Sequence, residues 1–575
     1  MNNKENNMIE NAYEETKKNV KNNFLTLMLE TEENSGIYEK STTSTWPGED
    51  YVFNEELSRC ENGGELSWDE STNTVKLLSN KSDACYVYFD IFTETPRTFA
   101  QMIENEEITI NTNEFDFSSQ APHPVSYKDS IYRSGTYEIT STNSSNYYTY
   151  ADSYTFDTST GQYDLVNPSF GIFSNIYSNL VGKYVISYSG STSSTMPSYT
   201  DRWQVYRIDE VSYNSSTNTG TINYSYFYRV TDQLSTDDVG LFITSDDLGQ
   251  VYIFRGNVEN NYVKFGKYSD NYPDKYYGFY YEDSYSSALE YSSLSECESA
   301  SNYNYNCTEV SLAGKDIYWR IVRTNGDGSI RLIYDGTQPY ENGESSIDRF
   351  AGYSRFNSLN DDNAYVGFMY GTPDATTYNA THSNTNNSTI KTFLDNWYKS
   401  VIFINNEYNK HIADAIYCND RSLSSGTGIA EQQTIYMSSE RRNQASPSLL
   451  CSQQNDRFSV ATSINGIATN GALTYPVGLI TLDESGYAGS TYDMETNTNY
   501  YLYTGNDYFA MSPNSKNNNS SPSQERWNIA SLWLVSYNTT ASVANSYGVK
   551  PVISLASDTL FLGDGTMENP FTVVD

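Results

Sequence analysis

Apolar and polar positions alternate with period two along most of this chain. Leu25, Leu27 and Leu29 are spaced by Thr26 and Met28, and tyrosines are interleaved with Ser, Thr and Asn over 147–154 and 224–229. Aromatic and β-branched residues in that rhythm favour pleated, half-buried strands. Further strands are expected at Tyr184–Tyr188, Trp203–Ile208 and Thr221–Arg229, with turns at Thr158–Gln162 and Asn214–Gly220. The sharpest local expectation is a hairpin over Tyr318–Tyr334, YWRIVRTNGDGSIRLIY. Trp319 and Ile321 share one face of its first strand, and Ile330, Leu332 and Tyr334 share one face of its second. Asn325-Gly326 and Asp327-Gly328 between them supply the positive-φ positions of a hairpin loop.

The period changes in the last part of the chain. Ile390, Phe393, Leu394, Trp397, Tyr398, Val401 and Ile402 recur at the spacing of one helical face. Ser388 or Thr389 is its natural N-cap. A second helix is expected from about Glu407 to Tyr417. The fold expected is therefore mostly β with an α+β C-terminal region: β-sandwich-like antiparallel modules, then a domain with two short helices. We divide the chain into a polar linker (1–23), a disulfide-clipped β domain (24–119), a β-rich spacer (120–230) and an α+β domain (231–575).

A length of 575 residues calls for several cores, and 54 tyrosines within a hydrophobic fraction of 37% are enough to fill them. The formal charge is −37, from 72 acidic against 35 basic residues. Such a chain repels phosphate backbones and anionic membranes, so nucleic acid is excluded as a partner. No run of 18 apolar residues occurs, so direct membrane insertion of this chain is not expected.

Six cysteines fall into three local pairs, Cys60 with Cys85, Cys297 with Cys307, and Cys418 with Cys451. Of fifteen pairings, the nearest-neighbour set is the expectation, against six reduced, buried thiols. Disulfides persist outside the reducing cytosol, which places the protein extracellularly or at a cell surface. The opening MNNKENNMIENAYEETKKNVKNN lacks the apolar core of an export signal. An export or anchor segment is therefore expected to be missing from this chain.

Several stretches have a familiar look: CENGGELSWD (Cys60–Asp69), CYVYFD (Cys85–Asp90), RGNVENNYVKFG (Arg255–Gly266), YWRIVRTNGDGSIRLIYDGT (Tyr318–Thr337), CNDRS (Cys418–Ser422), NGALTYPVGLIT (Asn470–Thr481) and GVKPVISL (Gly548–Leu555). Together they resemble a block recurring in uncharacterised exported surface proteins of Gram-positive-type bacteria and their wall-less relatives. The C-terminal part, with YFAMSP (Tyr508–Pro513), LWLV (Leu532–Val535) and GVKPVISL, resembles a domain of unknown function related to the C-type-lectin and formylglycine-generating-enzyme fold. Where that family commonly carries Tyr-Trp and Gly-Val-Arg-Pro, this chain has Tyr508-Phe509 and Lys550. The resemblance implies a fold and a surface location and names no substrate.

Catalytic signatures are scarce. Formylglycine generation needs a reactive cysteine pair late in such a domain, and no cysteine follows Cys451. His123, His382 and His411 are scattered without ligand spacing, and no nucleophile elbow, Walker loop or dinucleotide fingerprint occurs. An enzyme is not expected, and neither is a cofactor. Asn325, Asp327 and Ser329 at alternate positions suggest calcium, but Ile330 stands where an EF-hand needs glycine, so the turn explains them better. A loop-built calcium site would draw first on Asp361, Asp362, Asp483 and Glu484, residues that solvated loops also explain.

The candidate ligand-binding residues are Tyr508, Phe509, Met511, Arg526 and Trp527, from a Pro-, Asn- and Ser-rich stretch expected to form loops. Exposed rings stack on sugars or proteins, and Arg adds directional donors. The competing reading makes Tyr508, Phe509 and Trp527 core anchors. Three functions follow. The first is a surface-displayed binding or adhesion protein, its partner a protein or glycan on another surface. The second is a structural subunit assembling with copies of itself. The third is an extracellular carboxylate-dependent hydrolase.

Overall fold

The computed structural model describes residues 24–31, 37–40, 51–69, 74–79, 83–91, 95–117, 122, 124–157, 162–186, 205–279, 287–300, 306–490, 497–517, 530–535 and 539–574. Among the described residues strands hold 44% and helices 15%, so the protein is mostly β and multi-domain, as the alternation implies. It divides into two units: residues 1–97 with 560–563 and 574, and residues 98–559 with 564–573 and 575.

In the first unit two three-stranded antiparallel sheets form. One has the order Phe24–Thr31, Asp83–Ile91, Tyr51–Cys60; the other runs Ile37–Lys40, Thr74–Leu78, Glu65–Asp69. The register sets Leu25, Leu27 and Leu29 opposite Phe89, Val87 and Cys85. Val75, Leu77, Cys85, Val87 and Phe89 make a buried cluster, with Phe53 and Trp68 packed against it. Cys60 and Cys85 are directly paired across two strands and form a disulfide. Asp83 fastens the loop after Cys60 by accepting the N–H groups of Asn62 (2.7 Å) and Gly64 (2.6 Å). In the chain-entropy model a closed loop of 25 residues contributes about 3 kcal/mol. Replacing both cysteines with alanine is expected to cost this small unit about that much. Hydrogen exchange of the Asp83–Ile91 amides should then accelerate at least a hundredfold.

The second unit begins at Thr98. Residues 98–119 belong to it, because their aromatic rings pack there: Phe99 lies 6.3 Å from Phe254, and Phe115 and Phe117 each lie 5.0 Å from Tyr487. Over 124–234 the three expected strands, joined by Pro124–Ile139, form a four-stranded antiparallel sheet in the order Tyr184–Ile186, Val205–Asn214, Thr219–Leu234, Pro124–Ile139. Ile139, Phe173, Leu180, Ile208 and Ile222 fill its core.

The rest is built on the expected hairpin. Asp316–Thr324 pairs with Ile330–Gly336, which pairs with Val552–Leu555. The other edge of Asp316–Thr324 meets Tyr262–Lys267 and the hairpin Gly240–Asp246/Gly249–Arg255. Gly328 takes φ +84°, as the turn requires. Gly326 has a different reason: a Cβ there would sit 2.3 Å from the Gly249 nitrogen, so only glycine permits the close approach. Asp327 accepts from the N–H and hydroxyl of Ser329 at 3.0 and 2.6 Å, which accounts for its place in the turn.

The expected helix forms at Thr389–Tyr398, capped by Ser388 through the Lys391 N–H at 3.1 Å, and continues as a π-helix to Phe403. The second helix does not extend over 407–417. Only Asn406–Asn409 is α-helical, because the backbone beyond it is claimed by another chain segment. Ala413 donates to the Ser554 carbonyl, and Ala556 donates to that of His411.

Candidate functional site

A small cleft, with about 30 Å³ of room for water, lies in the second unit where six separate chain segments meet. Its floor is a charged network. Arg323 and Arg331 are direct cross-strand partners in the central hairpin, an arrangement that repels unless an anion separates the pair. Glu484 is that anion. Its Oε1 accepts from Arg323 at 2.8 Å and lies 3.0 Å from Arg331, while Arg323 also donates to Asp246 at 2.9 Å. Glu484 is held by its own helix, Leu482–Ala488, where Thr481 and Glu484 form a capping box.

The adjoining residue faces another arginine. Asp483 receives a two-pronged contact from Arg441 at 2.7 and 2.8 Å and the Ser448 N–H at 3.0 Å. Arg441, on the helix Met437–Asn443, also donates to Asp420 at 2.8 Å. One wall is the segment 448–451, clamped to Cys418 by the Cys418–Cys451 disulfide. The Cys451 N–H donates to Asp247 at 2.8 Å, and Arg457 donates to the Cys451 carbonyl at 2.7 Å. Leu248, Ile416, Leu449 and Leu450 supply apolar lining.

Burial disfavours charge on Glu484, yet Arg331 and Arg323 outweigh it and hold the carboxyl below its ordinary value. For Asp483 burial prevails and pushes the carboxyl up, against Arg441 and with a contribution from Asp420. Burial likewise works against the Arg441 charge, but Asp483 and Asp420 reverse it and raise the guanidinium further. Buried groups already bonded to one another in this way keep a fixed geometry and recognise charge without reorganising.

The structure moves the sequence-derived candidates elsewhere. Tyr508, Phe509 and Met511 do not sit on loops; they lie on the strand Tyr508–Lys516 with no exposed surface. Tyr508 donates to the Leu502 carbonyl at 2.9 Å, and Phe509 packs against Phe356 and Tyr547 at 5.8 and 5.5 Å. They are core anchors, closed to a partner. Arg526, Trp527 and His123 lie outside the described residues.

The carboxylate pairs also differ from expectation. Asp483 and Glu484 belong to a buried helical turn, not a solvated loop. Asp362 is buried and caps the turn Asn363–Val366, accepting the N–H groups of Ala364 (2.7 Å) and Asp374 (2.8 Å), whereas Asp361 is exposed. All six cysteines are disulfide-bonded in the nearest-neighbour pairing. His411 is half-buried beside Phe265, with ring centroids 6.1 Å apart.

His382 is buried, its Nε2 3.0 Å from the Gly428 carbonyl, and burial followed by Arg421 pushes its value down to about 3. The unfolded chain therefore binds a proton below about pH 6.5 that the native state refuses. Stability from this group is complete above pH 6.5 and falls as pH drops toward 3, by about 1.4 kcal/mol per unit. His382→Gln is expected to flatten the stability profile between pH 6.5 and 5, measured by urea unfolding. An unchanged slope would place the acid sensitivity elsewhere.

Among the cleft residues, Asp246, Asp247, Arg323, Arg331, Asp420 and Arg441 escaped the sequence reading. A usable signal existed for two of them: arginine inside the apolar strand runs YWRIVRT and IRLIY demands a buried anion. No family model, curated protein or solved structure compared with the chain matches it.

Proposed function

We propose that this chain is an extracellular, surface-displayed binding protein: β spacer modules carrying a lectin-like C-terminal module whose recognition site is the cleft beside Cys418–Cys451. The observation that carries the reading is the state of the cleft's charged groups. Glu484 is held by Arg323 and Arg331, and Asp483 and Asp420 by Arg441, all at 2.7–3.0 Å, and a covalent clamp holds the wall above them. Such preorganisation lowers the ordering cost of binding. Three disulfides suit an oxidising, extracellular setting. Among the described residues no helix is long and apolar enough to cross a membrane. The resemblance to exported surface proteins points the same way.

The test uses the full chain, immobilised and probed with a glycan panel and a panel of host-type surface proteins. Retention of a ligand that Leu450→Asp at the cleft mouth abolishes would support the reading. Filaments or lattices forming with rising concentration, in place of ligand capture, would favour the structural subunit. Hydrolysis of model glycosides, lost on Asp483→Asn, would favour the carboxylate hydrolase.

A further inference from the structure

We infer that the tip of the hairpin Leu423–Gly426/Thr434–Tyr436 is an acid-released latch, let go when the buried His382 takes up a proton. Residues 427–433 form this tip, and Thr427, Glu431, Gln432 and Gln433 on it are exposed. Two side chains from elsewhere in the unit hold the tip down. Asn363 donates its N–H and its side-chain amide to the Ala430 carbonyl, both at 2.8 Å. The same amide donates to the Gln432 carbonyl at 2.7 Å. His382 holds the other end of the tip, with Nε2 3.0 Å from the Gly428 carbonyl. Only glycine fits at 428, because a Cβ there would stand 2.9 Å from the Tyr378 ring. The tip is also strained, since Ala430 takes φ +46°.

The surroundings of the imidazole make the latch sensitive to acid. A carbonyl only accepts, so Nε2 carries the hydrogen and Nδ1 the lone pair. That Nδ1 is buried and has no hydrogen-bond partner. A proton arriving there creates a buried N–H with no acceptor, and a second cation facing Arg421. Burial opposes the charge most, Arg421 adds to it, and the Gly428 carbonyl favours it. Asp456, on the turn Gln454–Asp456, is already engaged by the Arg421 side chain at 2.6 Å and its N–H at 2.8 Å. Tyr378, on the histidine's own short helix, has its ring centroid 4.4 Å away and donates its hydroxyl to the Arg421 carbonyl. Glu431, on the tip, is exposed to water.

The tip yields rather than the histidine. Asn455 donates to the His382 carbonyl and fixes the backbone behind the ring. The base of the hairpin is anchored separately: Tyr436 donates to Asn363 at 2.8 Å, and Ser439 to the Asn514 carbonyl at 2.9 Å. Opening therefore stops short of the helix Met437–Asn443, and Arg441 keeps its carboxylates. Lifting the tip uncovers the Tyr378 ring, so the protein displays in acid an aromatic surface that it covers at neutral pH. The sign follows from linkage. The closed state refuses the proton down to about pH 3, whereas a solvated histidine accepts it near pH 6.5, so falling pH favours the open state. The opening constant rises nearly tenfold per pH unit below about pH 6, or about a hundredfold between pH 7.5 and 4.5.

The experiment is hydrogen exchange of the full-length protein from pH 7.5 to 4.5, read by mass spectrometry and corrected for the intrinsic chemical rate. Amides of 427–434 should show the hundredfold rise in opening, together with Asn363, whose N–H is bonded to the tip. Amides of Ile330–Gly336 in the central hairpin should not follow. His382→Gln keeps a donor for the Gly428 carbonyl without a titrating ring, and should shrink the rise to less than about threefold. A rise that survives this substitution overturns the latch, as does one that appears equally in Ile330–Gly336 or no rise at all. Should the glutamine variant fail to fold, 4-fluorohistidine incorporated into the parent sequence replaces it. Fluorine lowers the basicity of the ring and leaves both nitrogens in place, so the rise must move to lower pH. A rise that keeps its onset in the fluorinated protein overturns the inference.

Discussion

Alanine at Glu484 is expected to destabilise the second unit by about 4 kcal/mol, seen as a lower urea midpoint. The carboxylate accepts from Arg323 and Thr481 and lies 3.0 Å from Arg331, and its side chain is 1% exposed. Removing it leaves two cross-strand guanidiniums facing each other in a desolvated site. Breaking one partner out of a buried ion pair costs about 3–5 kcal/mol, and losing the capping box costs about 1 more. Partial rescue sets the range: Arg323 keeps Asp246 at 2.9 Å, and Arg331 keeps the Ile416 carbonyl and the Tyr417 ring.

Glu484→Gln separates the two contributions. The amide oxygen still accepts the Thr481 N–H, so the cap survives while the charge is lost, and the cost should fall to about 2–3 kcal/mol. Asp246→Asn should cost less again, since Arg323 retains Glu484. A flat series, with alanine costing under about 1 kcal/mol, would mean that the arginines reach solvent and that the network is not buried in solution.

Legibility in the sequence followed the range of the interaction. The central hairpin was readable because Asn-Gly and Asp-Gly encode their own turn within four residues. The first helix was readable because its stripe of Ile390, Leu394, Trp397 and Tyr398 and its Ser388 cap are local as well. The second helix failed because the backbone after Asn409 satisfies its hydrogen bonds with residues near 554–556, far away in sequence. The aromatic candidates failed for a related reason. Proline and asparagine near Tyr508 look like loop formers, yet Pro513 is accommodated where the pairing shifts register between Phe509 and Ser515.

The cleft was the least legible feature. Its members come from turns, strands and helices between residues 246 and 484, and composition counted their charges as solvated. Charge count alone misled in one more respect. Arg255, Arg320, Arg331, Arg349 and Arg421 rank among the largest fully buried side chains. Among the described residues nine buried carboxylates accompany nine buried arginines and lysines, so the formal total hides an interior of paired charges without changing the balance left at the surface.

Trp319→Ala should produce an effect of similar size by a different route. Trp319 is fully buried on the hairpin's first strand and donates its indole N–H to the Phe265 carbonyl at 2.7 Å. Its ring lies edge-on to Tyr334 at 5.8 Å and to Trp397 of the helix at 6.1 Å, and those two rings are themselves 6.1 Å apart. Truncating a buried tryptophan costs about 3–5 kcal/mol through lost transfer energy and the cavity left behind. The orphaned Phe265 carbonyl adds about 1 kcal/mol. Trp319→Phe refills most of the space without the donor and should cost about half as much. Ile404→Ala, at a position 74% exposed, should stay within about 0.5 kcal/mol of the parent. The triad also makes a claim about coupling. If the helix is fixed to the sheet through these rings, the Trp319→Ala/Trp397→Ala pair must fall short of additivity by about 1 kcal/mol, because the second truncation removes contacts already lost. Strict additivity would show that the helix is held by Leu394 and Ile390 instead, and that the aromatic contact is incidental to docking.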